Sequence, residues 1–206
     1  MNRLYLIRHG ETQWNKEMRF QGWTDIPLSE TGREQAQKLA WRMRDIPIDE
    51  IYASPLQRAV ETARPMAQLK GLSISTMQAF KEINFGPWEG MTAQEIREGW
   101  GESFVEFMKY PEAGTFPGEG SFDQVTERIR QGLDQVLEQK DGKNIAIVSH
   151  GGIVRLMIRY LMGFTGEWYN KTWIDNTSIS IVEVRPKRGN LLRVLNDFSH
   201  LKNGVL

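Results

Sequence analysis

Leu4-Tyr5-Leu6-Ile7-Arg8-His9-Gly10-Glu11-Thr12 decides how this chain is read. Four consecutive apolar residues, Leu4 to Ile7, describe a short strand buried on both faces, as in a parallel sheet. Arg8 and His9 stand where that strand must end, and Gly10 is expected to free the backbone to turn. Open α/β sheets bind ligands beyond the carboxyl ends of their strands. A cation and an imidazole placed there, followed by small polar residues, suit an anion.

A second run ends the same way. Ile145-Ala146-Ile147-Val148-Ser149 reads as a β-branched strand, followed by His150-Gly151-Gly152. If both strands are parallel and central, the imidazoles of His9 and His150 meet at one site. Gly151 and Gly152 then open a helix whose first N–H groups face the same spot, a ready anion subsite.

Between and around these runs, strands and helices alternate with short connections, which predicts a three-layer α/β/α sandwich built on a mainly parallel sheet. Thr31-Gly32-Arg33-Glu34 reads as a capping box, with Ala36, Leu39, Ala40 and Met43 behind it at helical spacing. Ile48 to Ala53 is a strand, and Ser54-Pro55 reads as the N-cap and first-turn proline of a helix with Ala59, Ala63, Met66 and Ala67 on its buried side. Leu72 to Met77 follows as a further strand. Ser121 caps a helix with Gln124 three residues on, and Phe122, Val125, Ile129, Leu133, Val136 and Leu137 form its apolar face. Ser178 to Val184 and Leu191 to Asn196 form a hairpin that adds an antiparallel edge strand.

Asn84 to Gly120 departs from this rhythm, with Phe85, Trp88, Trp100, Phe104, Phe107, Tyr110 and Phe116 set among glycines and prolines. One reading is a lid over the strand ends, lined with aromatics. The other is aromatics that hold an irregular insertion together.

The 206 residues suit one α/β domain spanning 1–206. Lys plus Arg equals Asp plus Glu at 26 each, so no nucleic-acid or anionic-membrane partner is expected. Arg8 interrupts the N-terminal apolar run, which argues against a membrane span or a secretory signal and makes the cytoplasm the expected location. The chain has no cysteine, which excludes thiolate nucleophiles and zinc–thiolate sites. Its three histidines share no helical spacing, so no metal is expected, and no Gly-rich nucleotide loop suggests a cofactor.

The phrase Arg8-His9-Gly10-Glu11-Thr12, with Asn15 shortly after, resembles the signature of the histidine phosphatase superfamily, which includes cofactor-dependent phosphoglycerate mutases and small phosphatases. Three further blocks resemble that family in order. Arg19-Phe20-Gln21-Gly22-Trp23-Thr24-Asp25 precedes Leu28-Ser29-Glu30. Ala53-Ser54-Pro55-Leu56-Gln57-Arg58-Ala59 is followed by Thr62-Ala63. Phe80-Lys81-Glu82-Ile83-Asn84-Phe85-Gly86 is followed by Trp88-Glu89-Gly90.

The resemblance implies a phosphohistidine on His9, a phosphate grip by Arg8, Arg58 and His150, and a proton donor in Glu82. Glu89 competes for that role by composition and is expected to hold the loop instead. Asn15, Gln21 and Gly22 fall where the family contacts substrate. Arginine suits the grip because its planar fork donates parallel hydrogen bonds to an oxyanion. Many relatives carry Gly-Glu-Ser before the long helix, whereas this chain has Gly118-Glu119-Gly120-Ser121, so no role is carried to Glu119.

Two reactions share such machinery. A mutase needs extra cations for a carboxylate and a second phosphate. Here no Arg adjoins Glu82, Ala93 stands where a mutase-like pattern places lysine, and only Arg97 and Lys109 are basic between Asn84 and Gly120. The expectation is therefore a small phosphatase resembling α-ribazole phosphatases and broad-specificity phosphatases. Its partners would be a small-molecule phosphomonoester and inorganic phosphate, with Phe85 or Trp88 against the alcohol; a homodimer is left open. The alternatives are a phosphoglycerate mutase and a non-catalytic phospho-ligand binder, although the latter typically loses the nucleophile or the donor and this chain has both.

Overall fold

A computed structural model describes residues 1–138, 140–165 and 168–202. In chain order the strands and α-helices are β1 (Asn2–Arg8), α1 (Gln13–Lys16), α2 (Glu30–Arg42), β2 (Glu50–Ala53), α3 (Gln57–Lys70) and β3 (Ile74–Thr76). They continue as α4 (Ala93–Trp100), α5 (Glu102–Lys109), β4 (Thr115–Phe116), β5 (Gly120–Ser121), α6 (Phe122–Leu137), β6 (Asn144–Ser149), α7 (Gly151–Met162), β7 (Ile179–Val184) and β8 (Leu191–Asp197).

The main sheet has the order β3-β2-β6-β1-β7-β8. β1, β6, β2 and β3 are parallel, and the hairpin β7–β8 adds to β1 in antiparallel fashion. Alternation along the two central strands explains the layers, because successive side chains point to opposite faces. Leu4, Leu6, Ile145 and Ile147 join one core with α6, α7 and the aromatic stretch. Tyr5, Ile7, Ala146 and Val148 join the other, with residues of α2 and α3. The double burial of β1 and β6 is thus the double burial expected of their apolar runs.

Two helix starts differ from the sequence reading. α2 begins two residues earlier, with Ser29 as N-cap accepting the Gly32 N–H, rather than at Thr31. α3 begins after Leu56, not at Ser54-Pro55. Ser54 is fully buried and its hydroxyl lies 2.8 Å from His150 Nε2, so tertiary contact claims the oxygen that local pattern assigned to a cap. The Ser121–Gln124 capping box of α6 forms as expected.

The stretch from Asn84 to Gly120 contains α4, α5 and a two-stranded ribbon. Its aromatics do not line an open lid. Phe85, Trp88, Phe104, Phe107 and Phe116 are all buried and touch one another at ring separations from 5.2 to 6.5 Å, Phe85 and Trp88 stacked and the other pairs edge-to-face or tilted, continuous with the core around α6 and α7. Such contacts add to area burial and hold the insertion as a packed unit.

Gly10 serves a purpose other than turning freely. A Cβ there would lie 2.6 Å from the Gly32 carbonyl oxygen, and one on Gly32 would lie 2.0 Å from the Glu11 carbonyl oxygen. The signature loop and the start of α2 therefore meet backbone to backbone. Neither contact yields by rotating a side chain, so Gly32→Ala is expected to destabilise the fold by about 2–3 kcal/mol. Urea denaturation checks this, and a change under about 0.5 kcal/mol, the usual range for neutral surface sites, would contradict it.

Candidate active site

The parallel register pairs Arg8 with Ser149, so the residues just beyond, His9 and His150, emerge side by side. Their rings sit 5.2 Å apart at 61°. Both are almost wholly buried. The expectation that the two His–Gly strand ends converge is met.

Each imidazole has a defined tautomer. His9 Nδ1 lies 2.6 Å from the Gly10 carbonyl oxygen, which can only accept, so Nδ1 carries the proton and Nε2 keeps its lone pair. Arg58 Nε donates to His150 Nδ1 at 3.2 Å, so His150 is protonated on Nε2 and donates to Ser54 Oγ. Burial, with Arg58 and Arg8 adding, holds His9 well below the ordinary histidine range. Burial followed by Arg58 does the same to His150. Both rings are neutral, and both nitrogens of His150 are engaged. His150 thus stands between Ser54 and Arg58, with its ring beside that of His9.

Arg58 is fully buried. Its Nη1 donates to the Thr24 carbonyl at 2.9 Å and Nη2 to the Gly22 carbonyl at 2.7 Å. Each terminal nitrogen retains a second N–H for a ligand. Arg8 Nη1 donates to the Ile174 carbonyl at 2.7 Å, and its Nε is buried with no partner among the described residues. Burial pushes both guanidinium groups down to about 10, with the negative charge of Glu82 opposing that fall. Two desolvated cations beside two neutral imidazoles leave a net positive pocket, the field an oxyanion needs.

Glu82 lies at the start of α7. Its Oε1 accepts from the Ile83 N–H at 3.0 Å and its Oε2 from the Gly152 N–H at 3.4 Å. The helix N-terminus read from Gly151-Gly152 as an anion subsite is thus directed at this carboxylate. A Cβ on Gly152 would fall 2.6 Å from Glu82 Oε1 and 3.2 Å from the Tyr169 hydroxyl, so a side chain here would displace the acid from this position. Gly151 packs against Arg8, where a Cβ would lie 3.3 Å from Nε.

Glu89 holds the neighbouring loop, as expected. It accepts from the Trp23, Thr24 and Phe85 N–H groups and from Thr24 Oγ1 at 2.5 Å. The loop it clamps supplies the two carbonyls that grip Arg58. Gly22 has φ +53°, and a Cβ there would collide with the Glu89 carboxylate. Glu119 also has a place: it pairs with Arg128 Nε at 2.6 Å and accepts from the Asn84 N–H.

Asn15 accepts from the Thr12 N–H at 3.0 Å and lies 3.4 Å from Asn176 Nδ2, which also donates to the His9 carbonyl at 2.9 Å. Gln21 is held by Thr12 Oγ1 at 3.0 Å. Both amides therefore sit beside the signature loop. Phe85 and Trp88 do not serve as expected. Trp88 is 1% exposed and Phe85 8%, packed inside the aromatic cluster, so neither presents a face to the alcohol half of a substrate.

Several residues escaped the sequence reading. Arg128 donates to the Ala79, Lys81 and Glu82 carbonyls and so fixes the segment that carries Glu82. Thr62 accepts the Gly10 N–H at 2.9 Å. Arg155 lies close enough to Arg8 to oppose its charge, but its Nη1 donates to the Tyr169 and Thr172 carbonyls and its guanidinium stacks 3.6 Å from the Tyr169 ring centroid. Only the Thr62 contact had a local signal, since Thr62 lies within a quoted block. Among the described residues no cluster of three or more His, Asp or Glu could hold a metal ion, and no helix is long and apolar enough to cross a membrane.

Comparison with known proteins gives the same picture. Phosphoserine phosphatase 1 of Hydrogenobacter thermophilus is 33% identical over 98% of this chain and 95% of its own length. The probable phosphoglycerate mutase GpmB of Erwinia tasmaniensis is 32% identical over 100% and 98%. Among solved structures, the α-ribazole phosphatase of Shigella flexneri superposes with a TM-score of 0.85 at 31% identity, over 95% of this chain and 96% of that one. The model of the histidine phosphatase superfamily (branch 1) matches residues 4–197. With the paired strand ends, the two histidines and the two arginines in place, the chain belongs to the histidine phosphatase superfamily and is an enzyme of the histidine phosphatase type.

Proposed function

We propose that the chain is a single-domain, metal-independent phosphomonoesterase of the cytoplasm that works through a phosphohistidine on His9. The observation that carries this reading is the Nδ1–H bond of His9 to the Gly10 carbonyl, which makes Nε2 the nucleophilic nitrogen of a buried, neutral ring. Arg8 and Arg58 hold the phosphoryl oxygens through their remaining N–H groups, and His150 joins them with the Nε2–H that meets Ser54 in the free site while its Nδ1 keeps Arg58 in place. Asn15 and Gln21 add amide contacts.

His9 Nε2 attacks phosphorus, the P–N bond forms and the P–O bond to the alcohol breaks. Glu82 passes its proton to the departing oxygen. Water then enters, Glu82 takes a proton from it, the resulting oxygen attacks phosphorus and the P–N bond breaks. Inorganic phosphate leaves, and His9 returns to the neutral Nδ1–H tautomer. No metal and no further cofactor enters these steps.

The substrate is a small alcohol phosphate, α-ribazole phosphate or a range of monoesters, with a neutral alcohol half. A phosphoglycerate mutase is the second reading, favoured by the named likeness to GpmB. It requires cations for a carboxylate and a second phosphate, and each charge left unpaired in a dry site costs several kcal/mol. Arg155, a further cation whose charge acts on Arg8, is occupied by two carbonyls and an aromatic face.

Rapid quench with radiolabelled monoester is expected to trap an acid-labile phosphate on His9, and His9→Ala to abolish turnover. Phosphate release from the best monoester should exceed phosphoryl exchange between phosphoglycerate isomers, assayed with bisphosphoglycerate present. Full activity of His9→Ala rejects the mechanism; faster exchange selects the mutase.

Glu82→Gln is expected to slow turnover of alkyl phosphates by roughly 10²–10⁴, the usual worth of a general acid. The loss should shrink with nitrophenyl phosphate, whose leaving group barely needs a proton. Equal losses for both would move the donor to another group.

Nitrogen-15 NMR of the imidazoles provides a third check. Without ligand, His9 should appear as the Nδ1–H tautomer and His150 as the Nε2–H tautomer, both still neutral as pH falls below 6.5. Their folded-state pKa values lie below the unfolded value. The stability they contribute is thus complete above about 6.5 and lost progressively as pH falls toward the folded values. Protonation of either ring near 6.5 in the folded protein contradicts the assignment.

A further inference from the structure

Two indole rings stand open to water beside groups that face the phosphoryl site. Trp173 is 65% exposed and Trp23 is 38% exposed. Scattered surface aromatics are ordinary, but Trp23 is bonded to the backbone of Glu82 and Trp173 lies beside Arg8, two residues of the candidate active site.

Trp173 belongs to the segment that wraps the end of β1. The next residue, Ile174, takes the Arg8 Nη1–H on its carbonyl, and Asn176 donates to the carbonyl of His9. The Trp173 ring centroid lies 6.0 Å from the Arg8 guanidinium carbon, and its Nε1 donates to Asp175 Oδ1 at 3.2 Å. Trp23 sits in the loop clamped by Glu89. Its Nε1 donates to the Glu82 carbonyl at 2.7 Å, and the Lys81 ammonium lies 3.5 Å from its ring centroid. Hydrogen bonds at both indole nitrogens orient these rings in advance, so binding against them costs little side-chain entropy.

In-line displacement sends the leaving oxygen away from His9 Nε2 and toward Glu82. The rest of the alcohol then emerges on the side where Trp23 adjoins Glu82, with Trp173 next to the Arg8 side of the phosphate. The buried Phe85 and Trp88 offer no such face. Asp175 accepts from Trp173 Nε1 and Asn196 Nδ2, and the Lys81 ammonium rests on one face of the Trp23 ring, so each charged group beside the indoles is engaged by a neutral one.

We propose that Trp23 and Trp173 form the alcohol subsite, and that the preferred substrate carries its phosphate on a flat, uncharged, aromatic or heteroaromatic-bearing alcohol. This rests on the phosphatase reading for turnover, but binding tests it independently. The His9→Ala protein is titrated calorimetrically with 1-naphthyl phosphate, methyl phosphate and phosphoserine. Naphthyl phosphate should bind about tenfold or more tighter than either of the others, in keeping with aromatic contact. Adding Trp173→Ala or Trp23→Leu should narrow the naphthyl-to-methyl ratio by about threefold or more, and Trp23→Phe should recover most of it by restoring a ring. Turnover by the wild-type protein is measured on the same three esters. Naphthyl preference without any hydrolysis would leave the subsite standing and reject the phosphatase reading. Equal affinities, a ratio unmoved by both substitutions, or tightest binding of phosphoserine would overturn the subsite.

Discussion

The parallel pairing of β1 with β6 is the constraint from which the rest of the site follows. It sets Arg8 opposite Ser149 and brings His9 and His150 out of adjacent strands at a ring separation of 5.2 Å. A slip of β1 by one residue would turn its side chains to the wrong faces, sending Leu4 and Leu6 toward one core and Tyr5 and Ile7 toward the other in exchange. The register is therefore held by burial on both sides, and the chemistry inherits a position that packing already specifies.

Burial then decides the protonation states. Imidazoles in a dry pocket between two guanidinium groups lose their proton more readily, which suits a nucleophile and leaves the positive charge on the arginines alone. Those arginines remain cationic although desolvated, because carbonyl oxygens receive their N–H groups: Gly22 and Thr24 for Arg58, Ile174 for Arg8. A guanidinium gripped on one side by fixed dipoles presents its free N–H groups in a set direction. That is preorganisation, and it spares the reorganisation that water would need.

A second ring of acidic residues supports the first without touching the reacting atoms. Glu89 clamps the loop whose carbonyls hold Arg58. Glu119 anchors Arg128, which in turn holds the backbone around Glu82. Removing either carboxylate would leave N–H groups partly buried and unpaired, so their worth lies in geometry more than in charge.

The sequence by itself determined the layered α/β class, the two strand ends that carry His9 and His150, the candidacy of Arg8, Arg58 and Glu82, and the loop-holding part of Glu89. These are legible because they depend on local chemistry: apolar runs bounded by His–Gly, helical spacing, and four ordered blocks. Tertiary structure alone decided the rest. Ser54 reads locally as a helix cap, yet its hydroxyl meets an imidazole ninety-six residues away. Phe85 and Trp88 read as a substrate wall, yet they lie inside a cluster, because aromatic composition marks what a segment can bury and not which way it faces. The partners of His150, Arg58 and Arg128 come from segments far apart in the chain, and no periodicity along one segment encodes which distant donor or acceptor will reach it.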